Sequence, residues 1–227
     1  MFQVAIDGPG GAGKSSISKA AAKELGFVYI DTGAMYRAAA LYCQRQGIPI
    51  KKDTLSAELA VDTITIDIAY AADGQHIFLN GEDVSEAIRT PEVSMGASDV
   101  SSIPAVRLKM VELQRALASS KNVIMDGRDI GTHVLPDAQV KIFLTASAEV
   151  RAKRRYDELV QKGQAVSYED VLAEMMQRDK NDETRAVSPL RPAEDSIQLD
   201  TSALDFDGAL AAVLQIIKEK MNQKGEL

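Results

Sequence analysis

The chain of 227 residues has one cysteine, Cys43, which leaves no partner for an internal disulfide and too few thiolates for a zinc site. Its setting in the stretch Met35 to Arg45 suggests a helix-packing residue. No run of residues approaches the length of a membrane span, and no basic segment followed by an apolar leader block opens the sequence, so a cytoplasmic location is expected. An excess of positive charge is also missing. With 26 Lys and Arg against 33 Asp and Glu the net charge is -7, which argues against a broad nucleic-acid surface and fits small phosphorylated ligands better than polymers. There is no internal repeat and no low-complexity tract. A hydrophobic content of 45% is enough to bury a full core, as one large α/β domain or as a core with an inserted lobe.

What is present begins at the N-terminus. Gly8-Pro9-Gly10-Gly11-Ala12-Gly13-Lys14-Ser15 spell the phosphate-binding loop G-x-x-x-x-G-K-[ST], between the apolar run Phe2 to Ile6 and a helical stretch Ser16 to Leu25. A strand delivers the chain, the glycines let consecutive N–H groups curl around a phosphate, and the helix points its positive end at the same anion. Lys14 is placed to neutralise the β- and γ-phosphates and the Ser15 hydroxyl to ligate Mg²⁺. The motif implies nucleoside triphosphate binding.

Five short, β-branched apolar runs read as buried parallel strands: Phe2 to Ile6, Phe27 to Ile30, Asn122 to Met125, Val140 to Leu144 and Ser196 to Leu199. Amphipathic segments separate them, as in a doubly wound sheet with helices on both faces. Pro104 fits the first turn of a helix reaching Leu117, and Asp205 a cap for a C-terminal helix to about Asn222. One segment departs from this pattern. Ile64, Ile66 and Ile68 alternate with polar or small residues, Ala72-Asp73-Gly74 supplies a turn, Gln75 to Leu79 a second strand, and Asn80-Gly81 a tight turn before Val84. Val61 to Glu92 therefore reads as an inserted small antiparallel sheet, of the kind that forms one wall of a substrate cleft.

Two further clusters sit where strands end. Asp31-Thr32-Gly33-Ala34-Met35-Tyr36-Arg37 follows the second strand and Asp126-Gly127-Arg128-Asp129-Ile130-Gly131-Thr132 the third, so both should open at the carboxyl edge of the sheet, where ligands bind in open α/β folds. Asp31 and Asp126 each suit a helix cap or turn; Asp126, after Val123-Ile124-Met125, also suits a magnesium carboxylate acting through a water. A basic set follows: Arg151, Lys153, Arg154 and Arg155 on one helix, then Arg178, Lys180 and Arg185 with Asp182 near the end of the next. Such charges serve a solvated face or a closing lid whose guanidinium forks pair with phosphate oxygens. The N-K-x-D motif of guanine recognition is absent, against a GTPase switch.

In these residues the chain resembles the bacterial cytidylate kinases, within the nucleoside monophosphate kinases. The shared blocks are the phosphate loop, residues 31–37, Gly81-Glu82-Asp83-Val84-Ser85 with Ile88-Arg89-Thr90, Val100 to Arg107, residues 126–132, Pro136-Asp137-Ala138, Arg178-Asp179 and Arg185-Ala186-Val187-Ser188-Pro189, in order along nearly the whole sequence. The resemblance implies a core of residues 1–60 and 101–227 built on a five-stranded parallel sheet flanked by helices. It adds a monophosphate-binding lobe over 61–100 with its own small antiparallel sheet, and a helical lid over 151–185. It implies transfer of the γ-phosphoryl group of ATP to CMP or dCMP, with Mg²⁺, by a monomer.

Residue by residue, the resemblance gives ATP to Gly8 through Ser16 and Arg154, and the monophosphate's charge to Thr32, Arg37, Arg128, Arg178 and Arg185. Cytosine reading falls to Ser98, Arg107 and Asp129, and sugar contact to Asp182 with Arg178. Lys14, Arg128, Arg178 and Arg185 are the implied catalytic set. A broader uridylate/cytidylate kinase is the alternative. Gly10 and Ser15 depart from the family at tolerant positions, and His133 is not a residue expected in its place.

Overall fold

The computed structural model describes residues 1–71 and 74–224. In chain order the elements are β1 (Gln3–Asp7), α1 (Lys14–Leu25), β2 (Val28–Asp31), α2 (Thr32–Arg45), α3 (Thr54–Asp62), β3 (Ile66–Ala71), β4 (Gly74–Leu79) and β5 (Glu82–Asp83). They continue with a 3₁₀ turn (Ala87–Arg89), α4 (Pro91–Val100), α5 (Pro104–Ala118), β6 (Val123–Gly127), a π turn (Ile130–Val134), β7 (Val140–Thr145), α6 (Ala148–Gln161), α7 (Tyr168–Thr184), β8 (Ile197–Asp200) and α8 (Phe206–Lys224).

The five core strands form one parallel sheet in the order β2-β6-β1-β7-β8, with each strand displaced by about a residue from the apolar run that announces it. β1 is central. Val4, Ala5 and Ile6 are wholly buried because neighbouring strands and packed helices cover them, which is why these strands read as continuous apolar runs rather than alternating ones. Ile17, Ala21 and Ala22 of α1 and Val213, Ile217 and Met221 of α8 pack in the same core as Val4, Ile6, Ile124, Ile142 and Leu144. Asp205 caps α8 by accepting the Gly208 N–H at 2.8 Å.

The chain divides into two compact units, Met1–Tyr29 with Lys121–Leu227, and Ile30–Ser120. The second holds a three-stranded sheet, β3-β4-β5, antiparallel in both pairs. Ile66 faces Leu79 and Ile68 faces Ile77 across β3 and β4, so the alternation in sequence becomes a single apolar face. Asn80 (φ 51°) and Gly81 (φ 83°) make the tight turn into β5, where positive φ at both positions matches the twist of a hairpin. Of the other expected turn, Ala72 and Asp73 lie outside the described residues.

This unit extends beyond the 61–100 insertion expected from the sequence. α2 and α4 pack so closely that a Cβ on Gly96 would lie 3.2 Å from the Ala40 Cβ, and α3 and α5 belong to the same unit. In sequence these helices look like crossovers of the parallel core; their buried faces instead serve the smaller sheet's unit. Cys43 is fully buried on α2, the packing position expected of it.

Candidate active site

In the first unit the glycines of the phosphate loop take backbone conformations that side chains resist. Gly8 has φ 147°, and a Cβ there would fall 1.9 Å from the Leu144 carbonyl oxygen. Gly13, with φ 88°, stands at the N-cap of α1 and offers no side chain to the first-turn N–H groups, which leaves them for an anion. Lys14 is buried and donates from Nζ to the Pro9 carbonyl at 2.7 Å, across the loop. Burial, and after it the charge of Arg128, hold its ammonium well below the ordinary lysine value, while Asp126 and Asp7 oppose that shift.

Ser15 Oγ donates to Asp126 Oδ2 at 2.7 Å, and the Tyr29 hydroxyl donates to Asp126 Oδ1 at 3.1 Å. Asp126 is the fourth residue of β6 rather than a residue beyond it, so the sheet itself aims this carboxylate at the start of α1. A hydroxyl and a carboxylate side by side are the hard oxygen donors that suit magnesium. Among the described residues there is no cluster of three or more His, Cys, Asp and Glu.

Two arginines stand over this loop, and a third joins them through Asp182. A Cβ on Gly10 would lie 3.6 Å from Arg128 Nη2 and 3.9 Å from Arg178 Cδ. Arg128 Nε donates to Asp182 Oδ2 at 2.9 Å, while Arg185 places Nη1 3.8 Å from Asp182 Oδ1 and Nη2 3.8 Å from Asp129 Oδ1. Burial pushes the Asp182 carboxyl up, but Arg128, Arg178 and Arg185 together outweigh it and hold the group below the usual carboxylate value. Arg178 and Asp182 lie on α7; Arg185 stands just past the end of that helix, in extended backbone, tied through Nε to the Ser188 carbonyl at 2.6 Å.

Two more residues of this unit make contacts that the sequence did not foretell. Arg151 on α6 is buried and donates to the Gly10 carbonyl at 2.9 Å, the Ala146 carbonyl at 2.8 Å and Asp179 Oδ2 at 2.7 Å, so it ties α6 and α7 to the loop. Asp7, at the end of β1, accepts the N–H groups of Ile130 and Gly131. Each spans more than a hundred residues of chain and leaves no local spacing to read. Arg154, expected at ATP, is turned to the loop after β8, where Nη2 donates to the carbonyls of Thr201 (2.9 Å) and Leu204 (3.2 Å).

In the second unit Asp31 closes β2 and caps α2, accepting the Ala34 N–H at 2.9 Å through Oδ1 and Arg37 Nη2 at 2.9 Å through Oδ2. Gly33 leaves room for that arrangement, since a Cβ there would lie 3.1 Å from both Arg37 Nη1 and Asp31 Oδ1. Thr32 is buried beside them at the start of the helix. Arg107 on α5 is 2% exposed, donates to the Ser101 carbonyl at 3.1 Å and sits 5.6 Å from the ring centre of Tyr36. Ser98, half-buried on α4, accepts from Ser101 Oγ through its own carbonyl at 2.9 Å, which links it to the segment that holds Arg107.

A family model described as cytidylate kinase matches residues 4–219. A curated cytidylate kinase of Caldicellulosiruptor saccharolyticus is 55% identical over 216 residues, covering 95% of this chain and 95% of its own length. The cytidylate kinase of Bacillus subtilis is 47% identical over 219 residues, covering 96% and 97%. Among solved structures, an uncharacterized protein from Eubacterium ventriosum shares the fold at a TM-score of 0.53 with 13% identity, over 96% of this chain and 99% of that one.

Proposed function

The chain belongs to the cytidylate kinase family, and from that membership we propose that it transfers the γ-phosphoryl group of ATP to CMP or dCMP, giving ADP and CDP or dCDP. The observation that supports the reading is the placing of Arg128 and Arg178 over the loop that holds Lys14 and Ser15, with Arg185 joined to them through Asp182. A phosphate oxygen of the monophosphate forms the new bond to the γ-phosphorus as the bond to the β-bridging oxygen breaks. The attacking oxygen is already ionised, so no general base is needed, and neither His76 nor His133 has a proton to move. What remains for the protein is positioning and compensation of charge on the equatorial oxygens. Lys14 and the loop N–H groups serve the β- and γ-phosphates, Arg128, Arg178 and Arg185 the transferring group, and Thr32 and Arg37 the acceptor phosphate. Magnesium would be held by Ser15, and by Asp126 through water, and would supply charge neutralisation between the phosphates.

For the base, Asp129 and Ser98 accept from and pair with the exocyclic amino group of cytosine, and Arg107 donates to the ring acceptors. Uracil puts a carbonyl where the amino group was and sets it against the Asp129 carboxylate, a mismatch of the kind that rejects a substrate by about 10² to 10⁵. Asp182 serves the sugar. Closure of the Arg151 to Gly163 region keeps water from the transferring group. A monomer acting in the cytoplasm is part of the same proposal; no described helix is long and apolar enough to cross a membrane.

ADP release measured with CMP, dCMP, UMP and AMP as acceptors tests the reading. CMP and dCMP should be used and UMP and AMP rejected. Equal use of UMP would replace the proposal with the broader uridylate/cytidylate kinase.

A further inference from the structure

Asp7 is the last residue of β1, directly before the phosphate loop, and is 5% exposed. Its two carboxylate oxygens take the Ile130 N–H at 2.8 Å and the Gly131 N–H at 2.7 Å. Those donors open the π turn Ile130–Val134, where a helical turn has no acceptors of its own to offer. Only a carboxylate answers both, because an amide would present one acceptor and one N–H₂ group, the latter against a second donor. Burial pushes the Asp7 carboxyl up to about 6 even though both backbone bonds pull it down, so an ionisable group is kept here at a cost. Gly131 packs closely on the far side of the clamp. A Cβ on Gly131 would lie 3.4 Å from Asp7 Oδ2 and 3.2 Å from Lys141 Cδ.

The two residues before the clamp are Arg128 and Asp129. We propose that Asp7 is a positioning residue that fixes Arg128 and Asp129 relative to the phosphate loop, so that one strand sets both the phosphate end and the base-reading end of the reaction. The proposal rests on the roles given above to those two residues. β1 continues into the loop at Gly8, so the carboxylate is one residue from the backbone that wraps the triphosphate. Loss of the clamp leaves Ile130 and Gly131 with buried, unanswered donors and frees the 128–129 backbone to shift. A displacement of about 1 Å in a positioning group costs on the order of 10²-fold in rate.

The experiment uses full-length Asp7→Asn, with folding followed by far-UV circular dichroism and with ATP held saturating while CMP or UMP is varied. The proposal expects a native spectrum, a KM for ATP within about twofold of wild type, a kcat with CMP at least tenfold lower, and a narrowed ratio of kcat/KM for CMP over UMP. Unchanged kcat and unchanged ratio overturn it. So does a fall in kcat that only tracks lost folded protein and lost ATP binding, because that marks a purely structural residue. If Asp7→Asn does not fold, Asp7→Glu keeps both acceptors but moves them by one methylene; it should show the same split in milder form, and wild-type kinetics there overturn the proposal. Asp129→Asn run alongside separates the two readings. If that variant leaves the CMP to UMP ratio untouched, base reading by Asp129 fails, and the Asp7 proposal then stands or falls on kcat through Arg128.

Discussion

The two units hold their arginines in different ways. Around the phosphate loop, Arg128 and Arg185 share Asp182, and Arg185 also faces Asp129, so cations and anions form a connected group. In the second unit Arg37 leans on the single carboxylate of Asp31, whereas Arg107 is held by a backbone carbonyl and stands over a tyrosine ring. The difference matches what each would meet in the proposed reaction. Guanidinium groups that receive a transferring phosphoryl group have to be fixed against one another's repulsion beforehand, and carboxylates between them do this. An arginine that reads a neutral pyrimidine needs direction more than compensation, which a carbonyl and an aromatic face supply.

Removing a member of the connected group should have the largest effect. Arg185→Ala is expected to lower kcat by about 10² to 10⁴ with little change in KM for CMP, as for a group that acts mainly in the transition state. Steady-state kinetics showing only a raised KM would erase the contrast between the units.

The next effect is on stability and concerns charge kept in the dry interior. The Asp7 carboxyl is raised from 3.8 to about 6, chiefly by burial, so the folded protein binds this proton more tightly than the unfolded chain does. Stability from this group is full below the unfolded value and is lost as pH rises through about 6, up to roughly 3 kcal/mol for a shift of this size. Relative to Asp7→Asn, wild-type unfolding free energy should therefore fall between about pH 4 and pH 6. A difference that does not vary with pH would show that the carboxyl titrates normally.

Arg37→Ala and Arg107→Ala sharpen the comparison within the second unit. Each loses a charge-assisted hydrogen bond, about 1.5–3 kcal/mol. The first should raise KM for CMP and UMP alike, and the second should narrow the preference between them. Identical patterns in the two variants would mean that phosphate and base are not read separately. The smallest effect is expected for Gly33→Ala. Helix propensity favours alanine by about 1 kcal/mol in α2, so the melting temperature should hold or rise. The added methyl, 3.1 Å from Arg37 Nη1 and Asp31 Oδ1, should nevertheless weaken CMP binding by a few fold. Calorimetry paired with CMP titration would detect those opposite signs.

Residues 8–15 were legible in the sequence because the loop's conformation is decided by neighbouring residues, and the strands were legible because a sheet covered on both faces leaves unbroken apolar runs. The small sheet was legible through its period of two and the Asn80-Gly81 turn. The loop contacts of Asp7 and Arg151 were not, because their partners lie 123 and 141 residues away; in sequence Asp7 looks like a strand end, and Arg151 belongs to a basic set that suits a solvated face or a lid without naming what it will touch. The extent of the second unit was hidden for a related reason. α2 and α5 carry the amphipathic pattern of crossover helices, and that pattern does not say which sheet a helix will join.

The central claim is that the charges gathered over the loop act on a phosphoryl group in transit between two nucleotides. ADP release by the wild-type enzyme at saturating ATP and Mg²⁺, measured without acceptor and then with CMP, tests it most directly. Release from ATP alone should be slow and should rise by orders of magnitude on adding CMP, with CDP formed in equal amount. Rapid hydrolysis of ATP alone, unaffected by CMP, would contradict it.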